Sequence, residues 1–191
     1  METFLIQVLN GLVFSMLLFV MAAGLSLIFG QMNVINLAHG SFYLLGGYIG
    51  MTIARQFDNF WLALLISPIV VSLLGVIIEY VFLRHLYGAE RHLNQVVLTF
   101  GFALIASDQM RRIWGGYVEA VPVPILLQGQ VPIFGILFPL YRLSLIGFGF
   151  TIALLLLLLI EHTRIGAIIR AGVSDAQMVS GLGINTQLVF A

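Results

Sequence analysis

From Thr3 to Ala54 the chain holds no Asp, Glu, Lys or Arg. A helix needs about 20 mostly apolar residues to cross the roughly 30 Å hydrocarbon core of a bilayer, so a charge-free run this long restricts the fold severely. Composition agrees: 61% of the residues are hydrophobic and 8% charged, against roughly a quarter charged in a soluble domain. The basic residues are all Arg, eight against eight acids, and the formal net charge of zero leaves no electrostatic footprint for nucleic acid. There is no Cys, hence no disulfide, thiolate metal site or Cys nucleophile, and four scattered His give little basis for a metal centre. The amino terminus, METFLIQVLNGLVF, lacks a basic leader and stays apolar beyond the length of a signal core, which predicts a retained transmembrane helix.

The charge-free runs place the spans. Phe4 to about Phe29 is the first, Asn59 to Ile78 the second with Pro68 as a kink, His92 to Ser107 continuing through Asp108 the third, and Leu143 to Ile160 the clearest. Ser41 to Ala54 covers only about 21 Å at about 1.5 Å per residue, so this helix either starts earlier, within NVINLAHG, or begins at membrane depth. Between Glu119 and Arg142, Pro122, Pro124, Pro132 and Pro139 forbid a helix, and an extracytoplasmic loop or partly re-entrant segment is expected. The terminal LVFA looks like the first turn of another apolar segment, which suggests further helices beyond it.

Residues 30–41, GQMNVINLAHGS, put Gln31, Asn33, Asn36 and His39 inside the longest uncharged run. An unpartnered amide in hydrocarbon costs several kcal/mol, so these side chains are bonded or face a wet cavity. A polar turn joining two helices at the membrane surface and a break inside the membrane that lines a solute path both satisfy that demand. Gly46 and Gly50, with Gly47 between them, form a GxxxG pair suited to close helix packing. Asp108 with Arg111 or Arg112, and Glu161 with Arg164, are spaced for pairing on helix surfaces.

Residues 161–187, EHTRIGAIIRAGVSDAQMVSGLGINTQ, have soluble-like patterning. Ile165, Ile168, Ile169 and Gly172 mark an amphipathic helix, Ser174 with Gln177 fits a capping box, and Gly181 and Gly183 are candidate stops. A compact helix-turn-helix on one face of the membrane follows. With few basic residues it suits docking on a partner better than lying on lipid.

Three stretches, GLSLIFGQMNVINLAHGSFYLLGGYIG (24–50), VLTFGFALIASDQMRRIWGG (97–116) and YRLSLIGFGFTIALLLLLLIEHTRIGAIIRAGVSDAQMVSGLGIN (141–185), resemble the permease subunits of branched-chain amino acid ABC importers, in particular the LivH-like branch. The resemblance covers nearly the whole chain, and the NLAHG block and the TRIGAIIRAG…GLGIN loop are its most specific parts. It implies an all-α, polytopic transmembrane helical bundle over 1–191, a single domain with a broken or re-entrant first hairpin, lacking the family's last helices. It also implies that 162–187 is a cytoplasmic coupling loop, with Arg164, Gly166, Arg170, Asp175, Gln177, Gly181 and Gly183 at the ATPase contact. The family pattern usually has Glu near Gln177, and the uncharged Gln here keeps a capping role without the ion pair that Glu would make. Asn33, Asn36, His39 and Gly40 would contribute to the substrate pathway.

The implied partners are a second homologous permease subunit, two ABC ATPase subunits, a periplasmic substrate-binding protein and the lipid bilayer. No cofactor is implied, and the chain has no GxxxxGK[ST] loop of its own to hold ATP. The implied location is the bacterial inner membrane, with the amino terminus periplasmic. Counting Arg does not orient the chain, because Arg84, Arg91, Arg164 and Arg170 fall on one side and Arg55, Arg111, Arg112 and Arg142 on the other. The rival reading is a passive channel or facilitator for small polar solutes. An intramembrane enzyme would need more than His39, the lone titratable side chain from Thr3 to Ala54 apart from its tyrosines.

Overall fold

The computed structural model describes residues 2–32, 36–86, 92–116, 120–121, 123–133, 135–174 and 176–183. It is all-α apart from one small hairpin. Seven α-helices are present among those residues: α1 Glu2–Met32, α2 His39–Phe57, α3 Phe60–Val81, α4 His92–Trp114, α5 Leu140–His162, α6 Arg164–Ser174 and α7 Ala176–Gly181. Three segments, Glu2–Gly30, Phe60–Val81 and Leu140–His162, are long and apolar enough to cross a membrane. The chain divides into two compact units, Met1–Leu27 with Val123–Val189 and Ile28–Pro122.

In the second of these units α2 and α3 form an antiparallel pair. Gly46 lies against Val71, and Gly50, one turn further along α2, lies against Ser67, one turn back along α3. A Cβ on Gly50 would stand 3.4 Å from the Ser67 hydroxyl, so the small residues let the two backbones approach. Gly47 does not share this contact with α3. It has open space beside it and lines, with Met51, Ala63, Ser67 and Pro68, a cavity of about 480 Å³. The connection is short because Asp58 adopts a left-handed conformation (φ 47°) and the Asn59 side chain accepts from Leu62 N at 3.0 Å, capping α3. Starting at His39, α2 is 19 residues long, about 28 Å. The helix therefore starts earlier than Ser41, within NVINLAHG.

The other unit has its core where Val13 of α1, Ile146 of α5 and Phe138 are buried together. Gly149 admits the close crossing: a Cβ there would stand 2.7 Å from Met16 Cβ. Arg142, in the first turn of α5, donates to Asn10 Oδ1 at 2.6 Å, which partners an amide set within an apolar helix.

The proline-rich run departs from the expected loop. Gln130–Ile133 (β1) and Ile136–Pro139 (β2) pair antiparallel, with Val131 opposite Phe138 and Ile133 opposite Ile136. Gly135 takes φ +83°, a conformation that tight two-residue turns require. Pro132 is tolerated because both strands of a two-stranded sheet are edges. Ile136 and Phe138 point to the core while Leu137 between them is exposed, the period-two pattern of a strand with one buried face.

Candidate functional site

The polar block before α2 is docked on α4 by a series of contacts. Asn36 makes an Asx turn, its Oδ1 accepting from Ala38 N at 3.0 Å while its carbonyl accepts from His39 N at 3.3 Å. Leu37 N then donates to the Thr99 hydroxyl at 3.2 Å. One turn on, Ser41 Oγ donates to Ala103 O at 3.4 Å, and at the far end Trp114 Nε1 donates to Thr52 Oγ1 at 2.8 Å while its ring stacks on Tyr48. Partners are 62 residues apart in each hydrogen bond, so α2 and α4 run parallel and in constant register. Thr99 is the eighth residue of a 23-residue helix, which sets the Asn36 turn about a third of the way along α4.

Below Thr99, Gln95 is 2% exposed and Thr99 1%. Gln95 Nε2 donates to Leu86 O at 2.6 Å, and the Thr99 hydroxyl is shared between the carbonyls of Gln95 and Val96. A single face of α4 thus holds both the 36–38 turn and the 83–86 turn. Sequence reasoning passed over Gln95, Thr99, Thr52 and Trp114; the readable signal was two polar residues four apart in an apolar helix, which share one face.

Of the proposed pathway residues, Asn36 is committed to the turn, and His39 and Gly40 open α2. Asn33 lies outside the described residues.

After α5 the chain turns through a single residue. Thr163 is extended (φ −110°, ψ 157°), and its hydroxyl accepts from Gly166 N at 3.0 Å and donates to Leu159 O at 2.5 Å. Gly166 is buried against the end of α5, where a Cβ would overlap the carbonyl oxygens of Leu159 and Ile160. The buried face of α6 therefore contains Gly166 and Gly172, and Ile165 is 59% exposed. Of the expected stripe, Gly172 is buried and Ile168 and Ile169 are half-buried, while Ile165 alone is exposed and Gly166 takes the buried position at the corner.

Two further expectations are corrected at this arm. Ser174 is the last residue of α6, and its hydroxyl donates back to Arg170 O, so it does not hold the N-cap position of α7. Glu161 approaches Arg170 at 4.0 Å rather than Arg164. The other surface pair resolves to Asp108 with Arg112 at 2.8 Å. Arg164 is exposed, Gln177 lies in α7, Gly181 ends it, and Gly183 takes φ +82°. Asp175 lies outside the described residues.

The family model for the branched-chain amino acid transport system permease component matches residues 7–191. The chain belongs to this family. Among curated relatives of this permease component family, the high-affinity branched-chain amino acid transport permease BraD of Pseudomonas aeruginosa is 26% identical over 98% of this chain. LivH of Escherichia coli K12, named as a permease of the same kind, is 28% identical over 98%. A probable LivH of Methanocaldococcus jannaschii is 27% identical over 95%. The chain spans 65% of the length of the first two and 59% of the third. No solved structure matches it.

Proposed function

We propose that this chain is the membrane-embedded permease subunit of an ATP-driven importer that moves branched-chain or other hydrophobic amino acids, or related small amides, across the bacterial inner membrane by alternating access. The observation that carries this reading is the family match over residues 7–191. The arm after α5 supports it: two short helices follow the most apolar span and carry an exposed Arg164.

In this reading α6 and α7 seat on an ABC ATPase subunit through Arg164, Arg170, Asp175, Gln177, Gly181 and Gly183. Gly166 acts from behind the contact, as the close-packing point of α6. The amino terminus faces the periplasm, a second permease subunit completes the path, two ATPase subunits hydrolyse ATP, and a periplasmic binding protein delivers the solute. Asn33, His39 and Gly40 border the path, and Asn36 shapes the turn that presents them. Residues 162–187 form the cytoplasmic coupling loop.

Reconstitution of the full complex in vesicles tests the proposal, with leucine, urea and short amides offered with and without the binding protein. ATP-dependent leucine uptake that requires the binding protein is expected. Uptake that continues without ATP and without the binding protein would establish the passive channel instead.

A further inference from the structure

The connection from α5 to α6 is one residue long, and Thr163 is bonded to both helices across it. Its carbonyl accepts from Ala167 N at 3.0 Å, its hydroxyl accepts from Gly166 N, and the hydroxyl proton goes to Leu159 O in the last turn of α5. One side chain therefore closes the open N–H end of one helix and a free carbonyl of the other, groups that helix termini otherwise leave unsatisfied. Gly166 then rests its Cα on the Leu159 and Ile160 carbonyls, with no room for a Cβ. The Glu161–Arg170 pair, half-exposed at 4.0 Å, adds a weak outer strap.

Hinges need a few residues whose φ and ψ can absorb a rotation. Here a single residue joins the helices, and bending it breaks both hydroxyl bonds and lifts Gly166 off α5.

We propose that Thr163 is a positioning residue that locks α5 and α6 into one stiff elbow, so that force on α6 is delivered to the membrane-spanning α5 instead of being absorbed at the corner. This rests on the reading of α6 and α7 as the seat of the ATPase. It separates the roles within the arm: Arg164 faces outward to the partner, Gly166 is buried against α5, and Thr163, though exposed, bridges the two helices and sets the stiffness.

The chain has no Cys, so Leu155→Cys in α5 and Val173→Cys in α6, both exposed and outside the corner's contacts, accept a clean pair of spin labels. Distances are measured in the full complex in lipid nanodiscs, alongside leucine uptake per ATP hydrolysed. Thr163→Ser keeps the hydroxyl and is expected to retain one narrow distance distribution and parental coupling. Thr163→Val keeps the β-branch but loses the hydroxyl; the distribution is expected to broaden and uptake per ATP to fall about fivefold or more, the low end of coupling between sites, with ATPase association unchanged. Thr163→Gly, well tolerated at an N-cap, gives the same reading should the Val variant not accumulate.

A narrow distribution in both variants overturns the proposal, as does broadening with unchanged uptake per ATP. A parent complex without an ATPase overturns the transport reading and the delivery of force with it. The label distances need no ATPase and decide the stiffness of the corner separately.

Discussion

The α2–α4 pair and the α5–α6 corner hold helices together by opposite means. Along α2 and α4 the joints are spread over sixteen residues, from Leu37 with Thr99 to Thr52 with Trp114, and each hydrogen bond uses a side chain. At the corner all but the weak Glu161–Arg170 strap lies within Leu159 to Ala167, and the closest contact is backbone against backbone with a missing side chain between. A distributed ladder loses one rung at a time. A concentrated corner fails as a whole when a single methyl group is added.

That contrast orders the expected effects of mutation. Gly166→Ala puts a Cβ into the Leu159 and Ile160 carbonyls, which belong to the helix end and cannot rotate away; a loss of about 3 kcal/mol is expected in thermal unfolding of the purified protein. A loss under about 1 kcal/mol, the size of an ordinary surface change, would place the stiffness elsewhere.

Thr99→Val comes next. It removes the buried hydroxyl that accepts from the half-exposed Leu37 N, at a cost of about 1–1.5 kcal/mol, while Thr99→Ser restores the bond. Hydrogen exchange at the Leu37 amide reports the loss directly, and unchanged protection in the Val variant counts against the ladder. Trp114→Phe keeps an aromatic ring for Tyr48 but removes the donor to Thr52, and about 1 kcal/mol is expected from the same unfolding measurement. Asp108→Asn serves as the small end of the scale: its pair with Arg112 is exposed on both sides, and a change below about 0.5 kcal/mol, screened away by salt, is expected.

The membrane helices were legible from charge-free runs, since the crossing length and the absence of charge are both written along one chain segment. α1, α3 and α5 each begin and end within a few residues of their sequence expectation. Of the GxxxG glycines, Gly46 lies against Val71 and Gly50 against Ser67 while Gly47 has open space beside it, because spacing says which residues share a helix face and not how wide that face's contact is. The strands of the 130–139 hairpin were hidden by proline count, and Ile136, Leu137 and Phe138 are all apolar, so the alternation shows only in the burial of Ile136 and Phe138 against exposed Leu137. Ser174 and Gln177 had the right spacing for a capping box, yet α6 continues through Ser174. A cap motif competes with continuation of the preceding helix, and tertiary packing decides between them.

What the sequence determined by itself was local: where apolar length suffices for a span, where prolines forbid helix, and where a turn of Asn and Gly interrupts grease. Each follows from the demand that backbone polar groups be satisfied within the segment that carries them. What only the tertiary structure decided was pairing. That Thr99 receives Leu37, that Trp114 receives Thr52, and that Gly166 sits on α5 depend on the rotation and register of whole helices. The first two are set by partners 62 residues away, which no local window contains; the third lies within eight residues of chain but depends on the backbone angles of a one-residue corner.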